Sequence, residues 1–535
     1  MTPADAYAEL VRRSKEVALL NSCSAVLQWD QQTYMPRAGA ALRGDQVALL
    51  AALAHEKATD PRTGELLAAV EGSQLVADAG SVEAANVREL RHTYDRAVKL
   101  PKRLVEELAR TTTRAQEAWV GARTKNDFPA FRPWLERVLA LKREEATAVQ
   151  CGMRNAERGM ENQKQPPDTG AGVDIPHSRF RTPHLYDALL DEYEPGATAA
   201  EVKEVFAGLS KELVPLIRAI AESSRKPDRS VLEREYPVDR QKVFAEAAAA
   251  AIGFDFTAGR LDTTAHPFCS GFGPGDCRIT TRYNPRAFHE AFFGVLHEAG
   301  HGLYEQNLPA EHFGTPAGMY CSLGVHESQS RLWENQVGRS RPFWDHFFPR
   351  LKQTFPDVAD VTPEAFVAAV NDVRPSFIRV EADEATYNLH IVLRFELELD
   401  LLTGALPVAD LPGAWAEKFR ALFGLTPPSD REGCLQDIHW SFGGFGYFPT
   451  YTLGNLYAAQ FMRAARRDLG GADLDAGFRR GDFAPLRRWL NERVHQPGRR
   501  YRAGQLCLRA TGEPLSPGPF VTYLREKAAD LYGVC

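Results

Sequence analysis

The chain has 535 residues, a formal net charge of −6, and hydrophobic and charged fractions of 44% and 25%, the balance of an ordinary globular protein. That balance excludes disordered and fibrous classes, and the mixed charges, with no basic run, argue against nucleic acid or an anionic membrane surface as a partner. The N-terminal stretch MTPADAYAELVRRSKEV lacks the apolar core and cleavage site of a signal peptide, and no later run approaches membrane-spanning length, so a cytoplasmic location is expected. The eight cysteines (Cys23, Cys151, Cys269, Cys277, Cys321, Cys434, Cys507, Cys535) are scattered without a CxxC pair and read as free thiols, with Cys269 and Cys277 able to oxidise across a hairpin.

Helical signals open the chain. Thr2 is placed to cap, Pro3 suits the first helical position, and Tyr7, Leu10, Val11, Val17 and Ala18 form an apolar stripe. Trp134, Leu135, Val138 and Leu139 make a second stripe. From about Cys151 to His184 apolar periodicity gives way to Pro, Gly, Gln and Asn, which predicts a surface loop or partly disordered insert. Helices resume at the capping box of Thr198 and Glu201, and later at Thr362 with Pro363. Between these, Thr263 to Tyr283 holds two stretches rich in Thr, Phe, Ile and Tyr around a Gly/Pro turn, the pattern of a β hairpin. The predicted fold is a large, mostly α body with a small β hairpin.

Asn284 and Pro285 form a helix start, and Ala287 to Gln306 runs without a breaker until Asn307 and Pro309. The segment LHEAGH therefore sits inside a helix. Residues four apart share a face, so His297 and His301 present their imidazoles together, while Glu298, about 100° round the helix, can act as a base toward water at the same site. Gly300 and Gly302 are expected to leave room around a metal. A catalytic zinc site needs a third protein ligand and an open position. No third histidine follows closely, since Gly302 to Leu308 holds none. The run VHESQSRLWENQ places Glu327, Arg331 and Glu334 on one helical stripe; Glu327 is selected as the third ligand, and Glu334 is read as exposed or as a salt-bridged partner of Arg331. His289 and His326 lack a partner histidine four residues on and are assigned structural or supporting roles.

These residues resemble the carboxypeptidase Taq metallopeptidases, almost end to end. The zinc helix is accompanied, in order, by WDQQTYMP (Trp29 to Pro36), HPF (His266 to Phe268), DCRIT (Asp276 to Thr280), HESQ (His326 to Gln329), RVEAD (Arg379 to Asp383), GCLQDIHW (Gly433 to Trp440) and TGEP (Thr511 to Pro514). The resemblance implies an α-helical fold similar to neurolysin and angiotensin-converting enzyme, with a substrate groove over the zinc. It also implies a homodimer, peptide substrates with a free C-terminus, and carboxypeptidase activity of broad specificity. Zinc is the implied cofactor, with another divalent metal such as Co2+ as a substitute, and Glu327 falls on the family's third-ligand position. Two features depart from the pattern: Gln32 stands where WDxET has glutamate, and the insert after Cys151 is longer. The whole chain is expected to be one peptidase unit, with a helical lid over about 1–110, the insert at 151–184 and a catalytic core over about 256–460.

With peptide hydrolysis as the implied reaction, an oxyanion needs donors beyond the metal, and His439 and Tyr447, the latter in the glycine-rich SFGGFGYFPTY, are the candidates. A C-terminal carboxylate needs a planar guanidinium. Arg379 is first choice by its motif, Arg374 is the reserve, and Arg278 is a third candidate or a hairpin salt-bridge partner. Asp383 is expected to orient a ligand or this arginine, and the hairpin's ITTRY could offer an edge strand to an extended substrate. A zinc endopeptidase or oligopeptidase of the same type is the nearest rival. A catalytically silent zinc-stabilised scaffold is the other, disfavoured because a structural site gains nothing from a base at Glu298.

Overall fold

The computed structural model describes residues 1–161 and 184–534, which form twenty α-helices and one three-stranded sheet. No helix among the described residues is long and apolar enough to cross a membrane. The chain divides into two compact units: Met1–Tyr94, Val205–Leu389 and Thr450–Cys535 make the first, Asp95–Glu204 and His390–Pro449 the second.

The first unit opens with helix α1 (Pro3–Thr33), capped by Thr2 as expected, with Asp5 completing a capping box. Helices α2 (Ala40–Ala58) and α3 (Pro61–Val70) follow. Ala6 and Leu10 of α1 bury against Leu66, Leu67 and Val70 of α3, so the apolar stripe fixes how the two helices pack. Thr198 and Glu201 satisfy each other's backbone N–H groups, and Thr362 accepts from Ala365 N to open helix Pro363–Val370.

The hairpin forms as expected from β2 (Cys269–Gly273) and β3 (Asp276–Thr281), but a further strand, β1 (Gly259–Thr263), pairs parallel to β3 on its other side. The order β1-β3-β2 makes β3 the central strand. Ile279–Thr281 therefore cannot offer an edge to substrate: Ile279 is paired on both sides, and Thr280 donates from its backbone to Phe268 O. The described cysteines are free thiols, with Cys269 and Cys277 Sγ 3.6 Å apart.

After the sheet comes α4 (Phe288–Gln306), the metal helix. Phe288 and Phe292 on its first two turns stack on each other at 5.2 Å, and Tyr236, Phe244 and Phe355 close around Phe288. This aromatic cluster anchors the N-terminal half of α4 and leaves its second half to carry polar groups. Helix α5 (Leu323–Arg331) is capped by Ser322 Oγ, which accepts from Val325 N, and continues as a π-helical turn over Leu332–Val337.

In the second unit, helices Lys102–Lys125 and Phe128–Glu161 pack together, burying Leu135, Val138 and Leu139. The second of these runs through residues 151–161, the start of the stretch for which the sequence predicts a surface loop or partly disordered insert. Residues 162–183 of that insert lie outside the described residues.

One buried histidine of the first unit sets an acid limit. His495 Nε2 bonds Gln329 Oε1 at 2.9 Å, while its Nδ1 is buried without a hydrogen-bond partner. Burial, reinforced by nearby His326, pushes its pKa down to about 3. Because this lies below the unfolded value of about 6.5, stability is fully present above pH 6.5 and is lost as pH falls toward 3, by on the order of 3 kcal/mol at pH 4. The stability difference between the wild type and His495→Gln is expected to shrink as pH drops from 6.5 to 4 in denaturant titrations. A difference that stays constant across that range rules the effect out.

Candidate metal centre

The second half of α4 and the whole of α5 meet at Gly300. A Cβ there would stand 2.5 Å from Gln329 O and 2.7 Å from Ser330 Cα, so only glycine lets the backbones approach this closely. Its role is thus to admit α5, and Gly302 similarly faces Phe254 and Ile279; neither clears space at the metal. This approach brings one nitrogen each of His297 and His301 and one oxygen of Glu327 within 4.8 Å of one another. Glu327 Oε2 lies 3.3 Å from His301 Nε2 and 3.7 Å from His297 Nε2. Gly454, on helix Pro449–Leu469, packs on the other side of the glutamate, where a Cβ would come within 2.5 Å of Glu327 Cγ.

Each donor is held by its other polar atom. Arg331 Nε donates to Glu327 Oε1 at 2.7 Å, while Oε2 faces the histidines and also accepts from Ser330 Oγ at 3.1 Å. His297 Nδ1 lies 2.9 Å from Glu334 Oε2, which also accepts from Arg331 Nη1 at 3.2 Å. Glu334 is therefore not exposed. It pairs with Arg331 as expected, and it also fixes the ring of His297 so that Nε2 points at the shared centre. His301 Nδ1 meets His326 Nδ1 at 2.5 Å, and His326 Nε2 meets Glu305 Oε1 at 2.9 Å. Both histidines thus have the carboxylate or imidazole support that orients metal-bound imidazoles.

The charge states of His301 and Glu327 suit a cation, while His297 must give up a proton that its carboxylate neighbours favour. Burial pushes His301 down to about 3, keeping it neutral with a lone pair to give. Burial opposes ionisation of Glu327, but Arg331, His297 and His301 outweigh it and hold the carboxyl well below the usual range. For His297, burial is outweighed by the carboxylates of Glu327 and Glu334, which raise its pKa. Glu298, 7% exposed beside this cluster, is pushed up to about 7 by burial, with Glu327 and Glu334 adding to the effect. Two imidazoles and one carboxylate fit a borderline divalent ion such as zinc and leave coordination positions open. Glu334→Gln is expected to weaken metal affinity by about 10–100-fold, read by competition with a chelating dye.

The arginine candidates separate. Arg379 is buried, 6% exposed, with Nη1 donating to Tyr387 OH at 2.9 Å and its guanidinium lying 5.1 Å from the Tyr451 ring centre. Tyr387 in turn carries Arg331 over its ring at 4.5 Å, which ties Arg379 to the cluster around Glu327. Arg374 is 55% exposed and pairs with Asp372. Arg278 forks onto Asp276 at 2.8 and 2.9 Å and lies over Trp29 at 4.4 Å, the hairpin salt bridge foreseen as its other reading. Asp383 accepts from Ala385 N, Thr386 N and Thr386 Oγ1, organising the start of helix Thr386–Thr403. His439 and Tyr447 lie in the second unit, their rings 5.3 Å apart, with Tyr447 also against Tyr193 at 5.0 Å. Their loop is tied down by buried Glu398, which accepts from Trp440 Nε1, Gly446 N and Tyr186 OH at 2.9, 3.1 and 2.6 Å.

A mostly helical fold with this HExxH-plus-glutamate cluster, buried and backed by carboxylates, defines a metal-dependent hydrolase. The pattern of the carboxypeptidase Taq (M32) metallopeptidases matches residues 9–157 and 178–528, and the chain belongs to that family. It is 50% identical over 533 residues to Thermostable carboxypeptidase 1 of Thermus thermophilus, covering all of both chains, and 35% identical over 519 residues to Carboxypeptidase 1 of Bacillus subtilis, covering 97% of each. Among solved structures, the M32 carboxypeptidase from Deinococcus radiodurans R1 superposes with a TM-score of 0.89 at 41% identity, covering 99% of this chain and all of that one. The neurolysin-like helical fold expected from the motifs is borne out, and the chain is a peptide hydrolase.

Proposed function

We propose that the protein is a zinc carboxypeptidase of broad specificity that removes C-terminal residues from peptides, acting as a cytoplasmic homodimer. The observation that carries this is the convergence of His297, His301 and Glu327 within 4.8 Å, beside buried Glu298. A divalent ion held there supplies Lewis-acid polarisation of the scissile carbonyl and makes an attacking water more acidic. Glu298, with a pKa near neutrality, takes that water's proton and returns it to the leaving amine nitrogen. His439 and Tyr447 are proposed as hydrogen-bond donors to the oxyanion, on the resemblance and on their shared loop.

Exopeptidase action requires a fixed cation for the substrate's carboxylate, and Arg379 fits best. It is buried and backed by tyrosines, whereas Arg374 is exposed and Arg278 is neutralised by Asp276. Arg379→Ala is expected to lower the ratio of kcat/KM for free-acid peptides to that for their C-terminal amides by roughly 30-fold or more. An unchanged ratio assigns carboxylate binding elsewhere. Arg379→Lys, which keeps the charge without the fork, should fall between the two.

A further inference from the structure

Beyond the metal centre, the first unit holds a partly open cavity of about 650 Å³, within the range of ligand pockets and too large for a packing void. Its wall is mostly apolar. Ala18 of α1, Phe272 at the end of β2, and Phe313 and Met319 after α4 face it, with Tyr320 and Glu305 at one end. That end adjoins the metal site. Glu305 is hydrogen-bonded to His326, which contacts His301, and the Tyr320 ring stands edge-on to His326 at 4.8 Å.

Two routes therefore lead away from the ligand pair. From His297, Glu334 and Arg331 lead through Tyr387 to Arg379. From His301, His326 leads through Glu305 to the cavity. Glu305 lies six residues beyond the midpoint of His297 and His301, which is about 9 Å along the axis of α4 at 1.5 Å per residue. A peptide held by Arg379 at its carboxylate and cut at the metal leaves its amine side for the His301 side of the site, where the cavity lies. Extended chain advances about 3.3 Å per residue, so a side chain roughly two or three residues before the scissile bond reaches it.

We propose that this cavity is a side-chain subsite that selects peptides carrying a bulky apolar residue, aromatic or leucine-sized, about two or three positions upstream of the bond that is cut. It rests on Arg379 holding the carboxylate as inferred above. Transfer of such a side chain out of water favours binding enough to raise kcat/KM by about 10- to 100-fold over serine at that position. The rest of the sequence upstream is unconstrained, which is compatible with broad tolerance at the C-terminal residue itself.

The test uses the metal-loaded full chain and N-acetylated hexapeptides that share one C-terminal residue, with Phe or Ser placed singly at each upstream position. Initial release of the C-terminal amino acid is followed by mass spectrometry. The expected result is a Phe-to-Ser ratio in kcat/KM of about 10–100 at one upstream position only. In Ala18→Trp, and separately in Met319→Trp, each of which puts a large ring into the cavity from a lining position, that ratio should fall toward 1. Flat ratios at every position in the wild type overturn the subsite, as does a preference that survives both folded variants. A chain that releases no C-terminal residue from any peptide, while cutting internally, overturns the carboxypeptidase reading instead.

Discussion

Glu298→Gln is expected to keep the metal and lose catalysis, with kcat falling by about 10²–10⁴-fold. Glu298 is on the turn between the two histidines but does not join the ligand cluster of His297, His301 and Glu327. Glutamine has the same shape and adds no charge, so the cluster and its supports at Glu334 and His326 should stay in place. What disappears is a group with the right proton affinity. Burial has moved Glu298 up to about 7, close to the pH at which a base that must both accept and return a proton works best. The paired measurement is metal content per chain beside kcat on a blocked dipeptide. Full turnover in a metal-loaded variant would remove Glu298 from the mechanism.

The second large effect is at Glu327, where Glu327→Ala should abolish both metal binding and activity. The carboxylate works on two sides: Oε2 faces the histidines, and Oε1 accepts from Arg331 Nε. Truncation removes the one anionic donor in the set and also deprives Arg331, a largely buried cation, of its nearest counter-charge. Breaking a buried pair in this way costs about 3–5 kcal/mol, moderated here because Glu334 still contacts Arg331. Glu327→Gln separates the two contributions. It can still accept from Arg331 through its amide oxygen, so it should recover much of the stability while remaining poor in metal. Equal metal affinity in wild type and Glu327→Ala would displace Glu327 from the ligand set. Gly454 gives an indirect version of the same test, since its missing Cβ is what leaves Glu327 its place.

How much of this could be read from the sequence depended on whether the signal was local. The metal helix was readable because nothing interrupts it before Asn307 and the four-residue spacing of His297 and His301 carries its geometry with it; its start was placed too early, since Asn284 and Pro285 form a turn and the helix begins at Phe288. The N-cap at Thr2 and the capping box at Thr198 were equally local. β1 was missed because Gly259–Thr263 (GRLDT) has neither alternation nor β-branched density, and its parallel pairing with β3 arises only in the folded chain. That omission turned a central strand into a supposed edge. Glu334 was placed on the right stripe, yet its choice between solvent, Arg331 and His297 depends on how α5 meets α4 at Gly300. The chain from His301 through His326 to Glu305 was likewise invisible, since spacing alone gave His326 no partner. The motifs around RVEAD singled out Arg379, but its tyrosine backing, from Tyr387 and Tyr451, comes from two separate helices.

The central claim is that one metal-dependent site trims peptides from the C-terminus. The most direct measurement is a time course of mass spectra on a long unblocked peptide incubated with the full chain, with and without a chelator, followed by zinc addition. The expected result is a ladder losing one residue at a time from the C-terminal end, silenced by the chelator and restored by zinc. Internal fragments, or a ladder that persists in the chelator, would contradict it.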